Sequence, residues 1–334
     1  RQRFRLRVGS EIRISEYTVM IRLASGGGEA VSTNQSFDNL FAQKPIYIDQ
    51  AFLKWQGNES RWLTLAGGRM QNPFFRVYTT DIVFDDDLNP EGFAEMITLK
   101  PGGGTTVFIN LGQFILDEDS SDNNDQWLFG QQVGATFVPG KDVTTTLAVG
   151  YYDATNVNKS TFSQNPCQYG NTENPVCPNA AGSTATPGVL LNDYNVVDLT
   201  VQATAKVAGM PLAIMGDYIQ NLADPETAAG AATGDTGYQV GFILGKASDP
   251  QTWELAYFYK MVETDATLAD LSDSDFGDGG INRKGHIIWV AYNPRKFLQG
   301  KVKYYMTEPE TQLSPAGVGD ADIDRLQVDL SVKF

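Results

Sequence analysis

Apolar and polar residues alternate through much of this 334-residue chain, in runs of roughly ten positions rich in Val, Ile, Tyr, Phe and Thr. The opening run puts Phe4, Leu6 and Val8 on one face and Arg3, Arg5 and Arg7 on the other, with Arg1 on the arginine parity. The closing run puts Leu326, Val328, Leu330, Val332 and Phe334 on one face, and Arg325, Gln327, Asp329, Ser331 and Lys333 on the other. A period of two belongs to strands, whose side chains point to opposite faces in turn. The pattern predicts fifteen strands, at 1–14, 17–24, 46–55, 61–70, 92–100, 105–116, 127–138, 143–153, 194–207, 212–220, 237–247, 252–262, 284–292, 298–307 and 323–334.

A soluble β-sandwich alternates too, so the connections carry more weight. Tight-turn sequences such as Pro101-Gly102-Gly103-Gly104, Pro139-Gly140-Lys141-Asp142 and Ser248-Asp249-Pro250-Gln251 supply the Gly, Pro, Asn and Asp that sharp turns need. Between successive turns lie long polar segments at 24–45, 71–91, 117–126, 154–193, 221–236, 263–283 and 308–324. A strict short–long rhythm is that of an outer-membrane barrel, with turns on the periplasmic side and loops outside. The expected fold is all-β: one transmembrane antiparallel β-barrel over 1–334. Even strand numbers and a short turn at Ser15-Glu16 make the expected count 16, with the first strand upstream of Arg1.

The faces fit that expectation. In 194–207, Val197, Leu199, Val201, Ala203 and Ala205 are expected to face lipid, and Asp198, Thr200, Gln202, Thr204 and Lys206 water. In 252–262, Trp253, Leu255, Tyr257 and Tyr259 face lipid, and Glu254 and Lys260 the lumen. Aromatics near strand ends suit membrane interfaces: Trp55, Trp62, Trp127, Tyr151 and Tyr152. Two strands are less regular, because Asp49 and Glu95 share faces with apolar residues.

Composition narrows the function. No run approaches the ~18 apolar residues of a spanning helix, which leaves a barrel untouched. The net charge of −15 without a basic patch excludes nucleic acid as a partner. Cys167 and Cys177 lie in a polar, Pro-rich segment and are read as a loop-stapling disulfide. His286 is the sole histidine and lies in a strand-like run, so no hydrolytic constellation is supported and no enzyme is expected. Gly26-Gly27-Gly28 and Gly102-Gly103-Gly104 precede no helix pattern, so neither is a phosphate cradle.

The arginines are the sharpest chemical feature. Arg3, Arg5 and Arg7 share a strand face, Arg22 lies on the next strand, and Arg69 and Arg76 flank the 71–91 loop. Opposite acidic loop residues they would set up a transverse field across a water-filled lumen; alternatively they fix the wall by salt bridges. The 71–91 loop combines Asp81, Asp85, Asp86 and Asp87 with Phe74, Phe75, Tyr78 and Phe84. Such a loop is expected to fold inward and narrow the pore. Two other readings are a Ca²⁺ ligand set at Asp85–Asp87, whose spacing is not that of a calcium loop, and a solvated charge run. No metal or cofactor is otherwise expected. Acids at the mouth favour cations, whereas arginines at the narrowest point favour anions.

The run Arg1-Gln2-Arg3-Phe4-Arg5-Leu6-Arg7 resembles the start of the bacterial putative porin family. So do Ile21-Arg22-Leu23-Ala24-Ser25-Gly26, Val31-Ser32-Thr33-Asn34-Gln35, Gly68-Arg69-Met70-Gln71-Asn72-Pro73-Phe74 and Asp86-Asp87-Leu88-Asn89-Pro90-Glu91-Gly92. The match is strongest over 1–100, and the terminal Phe334 is similar to an outer-membrane insertion signal. The resemblance implies a porin in the bacterial outer membrane, a homotrimer among membrane lipids and lipopolysaccharide. It would pass ions and small hydrophilic solutes by diffusion. A scaffold barrel, or a plugged or gated one, in a larger outer-membrane complex is the competing expectation.

Overall fold

The computed structural model describes residues 1–58, 61–77, 82–118, 120, 124–140, 142–158, 173–174, 189–226, 230, 232–277, 279–311 and 321–333. Asp81, Tyr78, Cys167, Cys177 and Phe334 lie outside the described residues.

Fifteen strands form one antiparallel sheet in which every strand pairs with its sequence neighbours. They are β1 (Arg7–Ile14), β2 (Tyr17–Ser25), β3 (Ile46–Gln56), β4 (Leu63–Arg69), β5 (Glu91–Gly102), β6 (Thr105–Asp117), β7 (Gln126–Gly140), β8 (Val143–Thr155), β9 (Tyr194–Val207), β10 (Met210–Asn221), β11 (Thr236–Gly245), β12 (Thr252–Val262), β13 (Arg283–Arg295), β14 (Leu298–Pro309) and β15 (Ile323–Val332). The fifteen expected runs and these strands coincide to within a few residues, except at the start. There Arg3–Phe4 leaves the main sheet and pairs with Gln35–Ser36, and β1 proper begins at Arg7.

The sheet rolls into a β-barrel whose outward face is apolar. On β9, Leu199 and Val201 are exposed while Asp198 and Thr200 are buried. On β12, Trp253, Leu255, Tyr257 and Tyr259 lie on one parity, with Glu254 and Lys260 on the other. Register confirms the sides, since paired residues of neighbouring antiparallel strands share a face. Tyr151, Val197 and Gln220 form one such outward row.

Two departures from the sequence reading follow from strand geometry. Adjacent residues point to opposite faces, so Tyr151 and Tyr152 cannot both sit in the girdle. Tyr152 is the inward one, buried against Phe74 and Phe84. Asp49 also faces inward, because a β-bulge breaks the β2–β3 register. Arg22 pairs with Gln50 and Leu23 with Ile48, which leaves Asp49 as the extra residue. The bulge turns its carboxylate into the lumen while Ala51 and Leu53 stay outward.

The inner wall is not uniformly polar. Phe114, Val196, Met215, Ile219, Phe258, Ile287 and Trp289 face inward and are buried, because long connections fold over them.

Candidate functional site

The segment between β4 and β5 enters the barrel through a hollow in its wall. Ala66, Ala94, Gly112 and Gly130 are register neighbours on successive strands, and all face inward. This row of small residues leaves room for the Phe74 ring. A Cβ on Gly130 would overlap that ring outright, and one on Gly112 would press on it. Phe74 meets Phe114 edge-on at 6.1 Å and Tyr152 at 5.0 Å, and stacks on Phe84 at 5.9 Å. One residue on, the backbone is pinned to the wall. The Phe75 N–H donates to Gln132 Oε1 (2.7 Å), and Gln132 Nε2 donates to the Phe75 carbonyl (2.8 Å). Val77 then reaches the wall of β10–β14, packing in the cluster of Met215, Phe258, Ile287 and Trp289. The segment therefore crosses the lumen.

Its return is fastened by charge. Asp87 is buried and accepts from Arg5 (Nη1 3.0 Å), from Arg7 (Nη2 2.7 Å) and from the Thr33 backbone N–H (3.2 Å). Asp49, the bulge residue, accepts from Arg22 Nε (2.5 Å) and Asn89 Nδ2 (2.9 Å), while Gln50 Nε2 donates to Asn89 Oδ1 (2.7 Å). Three inward guanidinium groups thus face two carboxylates, one on the wall and one on the loop. Arg76 steadies the loop from within, donating to the carbonyls of Phe84 (2.7 Å) and Asp85 (3.2 Å) and facing Asp86 at 3.3 Å.

A second segment, between β12 and β13, packs on the first. The Asp85 N–H donates to the Leu271 carbonyl (2.7 Å), and Asp85 Oδ2 accepts from the Ser274 N–H (2.9 Å). Phe276 is fully buried with Lys260 4.8 Å from its ring centroid, and Asp273 pairs with Lys260 at 3.2 Å. Burial, and then the nearby Asp273, push the Asp85 carboxyl up to about 7. Burial takes Asp270 to about 7 against the opposing pull of its own backbone N–H, and neither of its oxygens has a hydrogen-bond partner on another residue. Burial also opposes ionisation of Asp273, but Lys260 and Lys303 outweigh it and hold that carboxyl below the ordinary range.

The remaining inner wall is rich in cations on aromatic rings. Lys301 and Lys303 lie 4.7 and 5.6 Å from the Trp289 ring centroid, and Lys303 lies 4.6 Å from that of Tyr305. The Trp289 indole donates to Glu254 Oε1 (2.8 Å). Asp198, Thr200 and Asp217 line a small cavity together with Arg76, Ile82, Val83 and Phe84.

Residues 1–186 and 171–334 match the family model described as putative porin. The chain belongs to that family. It is a β-barrel porin of the bacterial outer membrane. Among solved structures, Pseudomonas putida OprB is similar over 98% of this chain and 86% of its own, at 12% identity and a TM-score of 0.55. OmpT, an outer membrane protein of Vibrio cholerae, is similar over 95% of this chain and 83% of its own, at 12% identity and a TM-score of 0.50. Both are likenesses of fold. A sequence comparison with curated proteins finds no match.

In this porin Arg5, Arg7, Arg22, Arg76, Asp85, Asp86 and Asp87 gather around the lumenal segment. Arg3 lies with Asp275 of the second segment, at 3.6 Å. Arg69 does not join them. It pairs in register with Ala51 and Glu91 on the outward parity, and its Nη1 donates to Glu91 Oε1 (2.6 Å). The Ca²⁺ alternative finds no support, since Asp85, Asp86 and Asp87 turn to different partners. No acidic cluster among the described residues converges as a metal site. Nor is the run solvated as a whole, because Asp85 and Asp87 are buried. His286 faces outward, with its Nδ1 2.8 Å from the Tyr257 hydroxyl. Sequence reading placed Lys260 in the lumen and marked Asp49 only as an irregularity; it did not single out Asn89, Asp273, Lys301 or Lys303.

Proposed function

We propose that this porin passes ions and small hydrophilic solutes by diffusion, through a lumen narrowed by the 71–91 segment and lined by Arg5, Arg7 and Arg22. No covalent chemistry and no cofactor take part. The observation that carries the reading is the course of that segment. It crosses from the small-residue hollow at Gly112 and Gly130 to the arginines at Asp87, so any path through the barrel passes beside it. In this reading the arginines both hold the segment and supply one side of a transverse field, with Asp86 and the loop acids on the other. Arg5, Arg7 and Arg22 outnumber Asp49 and Asp87, which leaves an excess of positive charge at that wall. The acidic loops concentrate cations at the mouth. The barrel works as a homotrimer among membrane lipids and lipopolysaccharide.

A gated barrel is the second reading, and one observation favours it. The two lumenal segments hydrogen-bond to each other through Asp85, Leu271 and Ser274, so together they occlude more of the bore than either would alone.

Single-channel current across a planar bilayer under a salt gradient tests both. Stable ohmic steps support open diffusion, and the sign of the reversal potential says whether arginines or acids govern the narrowest point. Folded protein that yields no steps, or steps only at raised voltage, overturns open diffusion in favour of gating.

A further inference from the structure

The two ends of this barrel carry opposite charge. Neighbouring strands run antiparallel, so successive connections lie at alternate rims. The long segments at 24–45, 71–91, 117–126, 154–193, 221–236, 263–283 and 308–324 join strands at the outer rim. They hold 28 of the chain's 40 acids and only 4 of its 25 lysines and arginines. The short turns and the strand ends beside them show the reverse. Over 11–18, 54–64, 98–106, 138–144, 205–212, 246–252, 293–299 and 331–334 there are 10 lysines and arginines against 5 acids. In a chain of net charge −15 the periplasmic rim is therefore positive. Part of that charge points into the bore. Lys54 pairs in register with Thr18 and Ala66 on the inward parity, and Lys206 shares the parity of Asp198. Arg13 lies beside Glu11 and Lys206 beside Asp142, but both acids are already among the five.

Fixed charge at a pore mouth decides which mobile ions collect there, over a screening length of about 10 Å at 0.1 M salt. The acidic outer rim gathers cations and the basic periplasmic rim gathers anions. We propose that this porin rectifies, carrying more current with the outer side positive than with the outer side negative. The inference rests on the diffusion reading above. With the outer side positive, cations enter through the acidic rim and anions through the basic one, and the bore between fills with both. With the outer side negative, both are drawn out, and each replacement has to enter past charge of its own sign. The bore is then depleted and the current falls. A lopsided obstruction by the lumenal segments would also favour one polarity, but it would be indifferent to salt and to the charge of the far rim.

The test is single-channel current at matched positive and negative voltages in symmetric potassium chloride, from ~0.01 M to ~1 M, where the screening length shrinks from about 30 Å to about 3 Å. A biotin-acceptor peptide inserted at Gly103, between β5 and β6, fixes the direction of each channel through one-sided block by streptavidin. The expected result is an outer-positive current larger by roughly twofold or more at the lowest salt, with the difference vanishing at the highest. Lys54→Glu, Lys206→Glu and Lys246→Glu combined leave 7 bases against 8 acids at the periplasmic rim. That protein is expected to conduct equally at both polarities at every salt. The salt series on the unaltered chain stands even where the triple variant does not fold. Stable steps of equal size at both polarities at the lowest salt overturn rectification and leave diffusion in place. An asymmetry that persists at high salt, or in the triple variant, overturns it as well and assigns the effect to shape. Folded protein without steps at either polarity overturns the diffusion reading, and rectification with it.

Discussion

Arg3 and Arg325 reach the same carboxylate. Arg3 Nη2 lies 3.6 Å and Arg325 Nη1 3.2 Å from Asp275 Oδ1, and Arg325 also donates to the Asp275 carbonyl at 2.6 Å. One arginine precedes β1 and the other sits on β15, the two margins of the sheet. A residue of the β12–β13 connection thus ties both ends of the strand order together from inside. Asp275→Ala is expected to lower stability by about 1 kcal/mol, since both ion pairs are partly exposed and screened. The midpoint of heat unfolding followed by gel mobility reads this. No change would mean that the two arginines find other partners at no cost.

Asp87 is the loop's anchor to β1. Asp87→Asn removes its charge while keeping one acceptor, and leaves Arg5 and Arg7 without their loop carboxylate. Larger single-channel steps and a reversal potential displaced toward anions are expected. Steps of unchanged size and selectivity would separate this pair from the conduction path.

Gly130 is where a side chain cannot go. Gly130→Ala sets a methyl against the Phe74 ring, and overpacking of this kind typically costs about 1–3 kcal/mol. Phe74→Ala empties the same hollow, at roughly 3–5 kcal/mol by analogy with buried aromatic truncations. In both proteins the barrel should persist while the segment loosens. Noisier current and faster hydrogen exchange of the Phe75 amide are the expected signs. A quiet, wild-type trace would mean that the hollow does not position the loop.

The acids of the lumenal segments predict a pH dependence with a definite sign. Asp85 and Asp270 are raised from 3.8 to about 7. Between those values the folded protein retains protons that the unfolded chain has released, so stability is full below about pH 4 and declines as pH rises to about 7. Asp273 has the opposite sign, and its contribution is lost only as pH falls below the ordinary carboxylate value. The unfolding midpoint should therefore drop from pH 4 to pH 7, and Asp270→Asn should flatten that slope. Asp270→Leu should stabilise at neutral pH by about 1–3 kcal/mol, because a buried carboxyl with no partner on another residue is replaced by an apolar side chain of the same branching. A slope unchanged in Asp270→Asn would put the titration elsewhere.

Strand by strand, the barrel was legible because alternation is a local property. Leu199 and Asp198 declare their sides without reference to any other strand. Asp49 was not legible, since the bulge that turns it inward exists only in the pairing with Arg22 and Leu23. Arg69 looked like Arg22 in sequence, but its side is set by register with Ala51. For the 71–91 segment, four aromatics among acids were enough to predict an inward course. The 263–283 segment hid its role behind its acids. Leu268, Leu271, Phe276 and Ile281, all buried, were the available signal. What sequence lacked throughout was the identity of each charge's partner: Arg5 and Asp87 are far apart in the chain and meet only where the 71–91 segment returns to the wall, and Lys260 meets Asp273 only because the connection after β12 folds back over its own strand.

The hollow at Ala66, Ala94, Gly112 and Gly130 has a consequence for how such a channel can change. Girth is fixed by the number of strands, but bore is fixed by what sits in this socket. Because the socket is made by side chains left out of the wall, a differently shaped loop can occupy it without disturbing a single strand pairing. Filter and pipe are then separate parts, and the filter can be exchanged while the pipe stays in place.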